Sequence, residues 1–235
     1  MMDIKNDFGI SVNFHELEYY QKLVENKIPF TFTCWGDGEW KCAMKDPGQT
    51  KSGQIFYPEL AEDLHQIITN KPLNYFHATD DFSFEILGDR ISNYLKTNKF
   101  DVEWHNWRTF RYATEDSSIY KFIRATKKLS TVLVGPQYLQ HTHLIRWDGF
   151  VPTPECNSYL EKHRIETDIL SVIKDLPKPV VIFFSIGLAA PVIQNNLFGK
   201  IGHDCYMIDF GSIFDGLIGL KKRIWHSKIQ KKIPL

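Results

Sequence analysis

A chain of 235 residues with 43% hydrophobic content can fill the core of one large domain, and 28 basic residues against 28 acidic ones leave no overall pull toward nucleic acid or anionic lipid. The longest apolar stretch, Val180 to Ile193, is broken by Ser185, Gly187 and Pro191 and falls short of the roughly 20 residues of a membrane span, so no transmembrane helix is expected. The N-terminus is polar and mixed in charge, unlike a secretory signal, and a cytoplasmic location is expected. Cys34, Cys42, Cys156 and Cys205 show no CxxC spacing, which argues against a thiolate zinc site and for buried free thiols.

In chain order, the first strong strand signal is Phe30 to Trp35, running into Gly36. Helical patterns follow at 58–70 and 81–96, with a strand candidate, Leu73 to His77, between them. After a helix over 115–128 comes the strand Thr131 to Val134, ending at Gly135. Thr153-Pro154-Glu155 reads as a helix start, and Ile165, Ile169 and Ile173 mark the buried face of a helix over 154–174. Val180 to Ser185 is a strand running toward Gly187, followed by a helix over 188–198 that Gly199 is placed to end. Cys205 to Phe210 is a last strand, before Gly211. The alternation predicts an α/β fold with a mainly parallel sheet flanked by helices. No internal repeat or low-complexity linker divides the chain, so one domain over 1–235 is expected, with a basic tail at 221–235.

Ligands of open parallel sheets bind beyond the carboxyl ends of the strands, where glycine lets backbone approach a phosphate. The glycine-bearing loops belong to that edge, although each read alone is also an ordinary tight turn. Asp37 and Glu39 flank one glycine at the end of the first strand, and a bend there can turn both toward one hard cation such as Mg²⁺ or Mn²⁺. Other acidic triplets occur, but only this pair follows an apolar strand between glycines.

The segment Phe32-Thr33-Cys34-Trp35-Gly36-Asp37-Gly38-Glu39 resembles the signature of the GT-D glycosyltransferases, a family with a Rossmann-like fold and an Asp-x-Glu motif. Val132 to Pro136 resembles that family's central strand and Gly-Pro turn, Val181 to Gly187 with Ala189-Ala190 its strand before a small-residue helix, and Ile208 to Ser212 its terminal Asp-x-Gly element. The resemblance spans about residues 30 to 215 and finds no motif between about 45 and 125. It implies transfer of a sugar from a nucleotide diphosphate donor, commonly a UDP-sugar, with Asp37 and Glu39 at the donor and metal site. Candidate donor-binding residues are then Gly36, Gly38, Gly135, Pro136, Ser185, Gly187, Gly211 and Ser212. Asp209 joins Asp37 and Glu39 as a candidate catalytic residue, with capping of the next helix as its alternative role. Asp80, Asp81, His77, Asp209 and Asp215 are the candidates for a general base. The acceptor would be a hydroxyl on a glycan, a glycoprotein or a modified DNA base.

Trp104 to Tyr112 mixes aromatic and cationic side chains, which suits either stacking on sugars and bases or a core strand with snorkelling arginines. His141 and His143 have no third ligand and read as a surface turn. Lys221, Lys222, Arg223, Lys228, Lys231 and Lys232 crowd the tail around Trp225, as a solvated terminal helix or as a contact for a polyanion or a membrane surface. Two other functions compete. A nucleic-acid-binding protein would use this tail and the Trp/Arg segment, and a SAM-dependent methyltransferase would use the loop at Gly211, which lies too near the end of the chain for a cofactor domain.

Overall fold

A computed structural model describes residues 2–5, 7–70, 72–141 and 146–229. In chain order the elements are β1 (Met2–Lys5), β2 (Ser11–Phe14), α1 (Leu17–Glu25), β3 (Thr31–Trp35), α2 (Asp37–Ala43), α3 (Pro58–Ile67), β4 (Tyr75–Thr79), α4 (Asp81–Thr97), β5 (Trp104–Asn106), α5 (Arg108–Glu115), α6 (Ile119–Thr126), β6 (Ser130–Pro136), β7 (Gly149–Thr153), α7 (Lys162–Ile173), β8 (Val180–Phe184), α8 (Ala190–Ile201), β9 (Cys205–Asp209) and α9 (Ile213–Leu217). The strands form one sheet in the order β1-β2-β5-β4-β3-β9-β8-β6-β7. Strands β2 to β9 run parallel, and β1 pairs antiparallel at one edge. The predicted α/β class and mainly parallel sheet are therefore present.

Strands β3, β8 and β9 are buried along their whole length, which is why their sequences are almost continuously apolar. Their side chains alternate between two cores. Val180, Ile182 and Phe184 face one with Trp40, Leu64, Ile91, Ile169 and Leu197, while Val181 and Phe183 face the other with Tyr20, Phe110, Phe122 and Phe214. Helices α2, α3, α4, α7 and α8 cover the first face, and α1, α5, α6 and α9 the second. Phe183 is fully buried, so truncating it to alanine would cost about 3–5 kcal/mol.

This layering fixes where a ligand can enter. The chain leaves β3 for α2 on the first face, but leaves the neighbouring β9 for α9 on the second. Two adjacent parallel strands whose connections part to opposite faces open a crevice at their carboxyl ends, the topological switch point of an α/β sheet.

Several local expectations need correction. The strand near residue 75 begins at Tyr75 rather than Leu73, because Asn74 turns the chain with a φ of 62°. Thr153 is not a helix cap: it pairs with Pro136 in the β6–β7 ladder, and α7 starts only at Lys162, after a 3-10 turn over Ser158–Glu161. Ile165, Ile169 and Ile173 do form its buried face. Gly199 does not end α8; it is exposed with open space around it, and the helix runs to Ile201, with the Gly202 N–H closing onto the Phe198 carbonyl at 2.8 Å. Cys34, Cys42 and Cys205 are buried free thiols, but Cys156 is exposed. Trp104 to Tyr112 is no single strand, since β5 gives way at Trp107 to α5. Among its described residues the tail forms no α-helix: Ile224–Lys228 is a 3-10 turn in which His226 is buried. His141 is exposed in a turn, whereas His143 lies outside the described residues.

Candidate functional site

The Asp-Gly-Glu segment is the first turn of α2, held in place by a tryptophan network. Trp40 donates from Nε1 to Thr79 Oγ1 at 3.1 Å, and Thr79 Oγ1 donates to the Trp35 carbonyl at 3.1 Å, tying the helix to the ends of β3 and β4. Two residues apart on a helix, Asp37 and Glu39 do not share a face, so the predicted bend that turns both toward one point is replaced by a divergent pair. Asp37 is 43% exposed and pairs with Lys41 at 2.9 Å. Glu39 folds back, and its Oε2 accepts the Gly36 N–H at 2.9 Å.

Asp209 ends β9, beside β3. The Cys34 thiol donates to the Asp209 carbonyl oxygen at 3.2 Å, and Asp209 Oδ1 accepts the Gly211 N–H at 2.9 Å. The carboxylate thus shapes the turn before α9 and does not cap the helix itself. Burial raises its pKa to about 7 against the opposing N–H and thiol bonds. Burial likewise raises Glu39 to about 8; the charges of Asp209 and Asp37 add to the rise and the Gly36 N–H opposes it. Glu39 and Asp209, both buried, therefore share a poorly solvated crevice at adjacent strand ends, with the partly exposed Asp37 on the same turn as Glu39.

The other motif residues meet along the same edge. Ser185 follows β8 and donates from Oγ to the Gly211 carbonyl at 2.5 Å. Gly187 and Gly211 have φ values of +59° and +50°, the left-handed region that favours glycine, and Ser212 is the residue before α9. Gly135 and Pro136 lie inside β6 rather than in a turn, because both pair with β7; a Cβ on Gly135 would sit 3.5 Å from that of Ser185. Gly36, Gly38, Ser185, Gly187, Asp209, Gly211 and Ser212 are thus gathered at the ends of three adjacent strands, with Gly135 beside them and Pro136 at the margin.

The base candidates separate by environment. His77 is 2% exposed in mid-strand; its Nδ1 accepts the Trp35 indole N–H at 3.2 Å, so Nε2 carries the proton given to the Asn70 carbonyl at 3.0 Å. That ring serves the core. Asp80 caps α4 by accepting from the Ser83 N–H at 2.9 Å and its Oγ at 2.6 Å, and burial raises its pKa. Asp81 pairs with Arg108 at 3.0 Å, and Asp215 accepts from the Tyr138 hydroxyl at 2.9 Å. Asp209 alone combines the switch point with a pKa near neutrality.

Two features of the site have no motif in the sequence. The loop between α2 and α3 lies across the crevice: a Cβ on Gly38 would meet Thr50 at 2.8 Å and Leu188 at 3.2 Å, and Gln54 Oε1 accepts the Leu188 N–H at 3.0 Å. The loop is anchored by Asn157 Oδ1, which accepts the Ile55 N–H at 2.8 Å, and by the Cys156 thiol, which donates to the Ser52 carbonyl at 3.1 Å. On the other side Trp107 approaches Gly211, with 3.9 Å between its ring and the position of a Gly211 Cβ. Contacts across such sequence separations leave no local pattern to read.

An oxygen-only donor set suits a hard divalent cation, and a buried carboxylate whose pKa is raised by burial and by neighbouring acids, as that of Glu39 is, is relieved by one. Among the described residues no group of three or more His, Cys, Asp or Glu is placed to hold a metal ion. Were a cation bound here, Asp37 and Glu39 would supply two of its oxygens, and water and ligand phosphates the rest.

The fold is that of a doubly wound α/β protein with a switch-point crevice at the carboxyl ends of β3 and β9. The fold is similar to a glycosyltransferase of the domain of unknown function 1792 from Streptococcus sanguinis, with TM-score 0.64, 15% identity, and coverage of 87% of this chain and 82% of that one. It is similar as well to a selenomethionine-substituted structure of domain of unknown function 1792, with TM-score 0.62, 16% identity and coverage of 87% and 79%. A third structure, described as showing that this highly conserved domain has a distinct glycosyltransferase fold, matches with TM-score 0.59, 16% identity and the same coverage. No protein-family profile matches the sequence, and no curated protein matches it. The fold expected from the GT-D resemblance is the fold observed.

Proposed function

We propose that this protein is a metal-dependent glycosyltransferase that moves a sugar from a nucleotide diphosphate donor, a UDP-sugar, to a hydroxyl of a glycan, a glycoprotein or a modified DNA base. The observation that supports the reading is a switch-point crevice with buried Glu39 and Asp209 at adjacent strand ends, and Asp37 on the same turn as Glu39, in a fold similar to solved glycosyltransferase structures.

In the transfer, the acceptor oxygen bonds to the anomeric carbon, the bond from that carbon to the diphosphate oxygen breaks with its electron pair leaving on the diphosphate, and the hydroxyl proton goes to a base. Asp37 and Glu39 would hold Mg²⁺ or Mn²⁺, which when bound neutralises charge on the diphosphate. Gly187 and Gly211 lie at the same edge, where the Gln54 carboxamide packs over Gly187 and would give way to a phosphate. Asp209 is the group we assign to the proton, since a pKa of about 7 lets it take one near neutral pH.

The test is calorimetric titration with UDP and UDP-sugars, with Mn²⁺ and with chelator, on the wild type and on Asp37→Asn. Metal-dependent binding that the variant loses supports the reading. No binding of UDP or of any other nucleotide diphosphate, or retention of SAM instead, sinks it.

A further inference from the structure

Beyond Asp215 the sequence contains six Lys or Arg residues and neither Asp nor Glu, in a chain that is neutral overall. The described part of this segment has two distinct sides. Its inner side is anchored: the Trp225 ring meets Trp107 edge-on at 6.4 Å and lies 5.3 Å from the Arg111 guanidinium, His226 and Ile229 are buried, and His226 Nδ1 donates to the Leu220 carbonyl at 2.8 Å. Its outer side carries Lys221, Lys222, Arg223 and Lys228, all exposed, together with Leu220 and an Ile224 that is 96% exposed. Lys222 lies 4.1 Å from the Tyr138 ring and donates to its hydroxyl, whereas among the described residues Lys221, Arg223 and Lys228 make no ion pair.

We propose that the strip from Leu220 to Lys228 docks this face of the protein on an anionic lipid surface. Cations attract the headgroups, and aliphatic side chains held beside them enter the boundary with the acyl chains. A nucleic acid would satisfy the cations but would leave Ile224 and Leu220 in water, since it is bound through charge and aromatic stacking. The inner anchor matters as much as the outer face. Trp225 holds the strip against Trp107, whose ring lies beside Gly211, so docking places the switch-point crevice near the bilayer. Resting on the proposed sugar transfer, the acceptor is then one presented at a membrane surface.

The docking itself is measured without any donor, which separates its failure from failure of the transferase reading. Full-length protein is floated with vesicles of phosphatidylcholine alone and of phosphatidylcholine with phosphatidylglycerol, at low and at high salt. Binding is expected only to the anionic vesicles, weaker in salt, reduced about tenfold or more in the triple variant Lys221→Ala/Arg223→Ala/Lys228→Ala, and reduced in Ile224→Asp with an unchanged melting curve. Ile224 is so exposed that its replacement leaves the fold intact. The proposal is overturned by absence of binding to anionic vesicles, by equal binding of the triple variant, by insensitivity to Ile224→Asp, or by duplex DNA displacing the vesicles through the same residues.

Discussion

Glu39 Oε2 accepts the Gly36 N–H at 2.9 Å, so one of the two carboxylates proposed for the cation is also a structural part of the first turn of α2. Asp37, exposed and paired only with Lys41 on the same helix, has no such duty. The variants should separate accordingly. Asp37→Asn is expected to stay within about 0.5 kcal/mol of wild-type stability and to lose activity by about a hundredfold or more. Glu39→Ala should lose activity and about 1 kcal/mol besides, while Glu39→Gln retains the bond to Gly36 and the stability but not the charge. Chemical denaturation beside initial rates reads all three, and equal destabilisation by Asp37→Asn and Glu39→Ala would contradict the division.

Asp209 predicts a conflict between stability and activity. Its folded-state pKa is raised from 3.8 to about 7, so the native state keeps a proton that the unfolded chain has already released. Stability contributed by this group is present below the unfolded value and is lost as pH rises through the folded one. Asp209→Asn should therefore raise the unfolding free energy at pH 8 by about 1–3 kcal/mol, change it little at pH 4, and abolish turnover. Urea titrations at the two pH values decide it; a variant less stable than wild type at pH 8 goes against the burial argument.

His105 makes the opposite prediction in the acid range. It is buried, its Nδ1 lies 2.7 Å from the Tyr20 hydroxyl, and burial, then the His15 and His77 charges, lower its pKa from 6.5 to about 3. The unfolded chain gains a proton as pH falls below 6.5 and the native state does not, so stability declines from there toward pH 3. The ring should remain neutral at pH 5 by nitrogen NMR. Protonation at that pH in the folded protein would disprove the assignment.

The loop over the crevice can be tested without any ligand. Gly38→Ala would bring a Cβ within 2.8 Å of Thr50 Cγ2 and should cost about 1–3 kcal/mol. Thr50→Ser removes that methyl group and keeps the hydroxyl that accepts from the Gln54 N–H at 3.1 Å. The double variant should recover part of the loss, giving a coupling of about 0.5 kcal/mol or more. Additive losses would mean that the two residues do not meet in solution.

The strands nearest the site were legible because burial on both faces forces nearly unbroken apolar runs, as in Val180 to Phe184 and Cys205 to Asp209. Strands β5 and β7 were less so: β5 is only three residues long inside a segment read as one longer unit, and edge strand β7 ends in Pro152-Thr153, where local pattern reads a helix start. By itself the sequence determined the α/β class, the polarity of the sheet and the motif residues that lie at its carboxyl edge. Only the tertiary structure decided that β9 returns to lie beside β3, that Glu39 turns inward while Asp37 faces solvent, and that Gln54 and Trp107 close the crevice from opposite sides. Periodicity records which face of an element is buried, whereas strand order and the charge environment of a carboxylate arise from contacts between residues far apart in the chain.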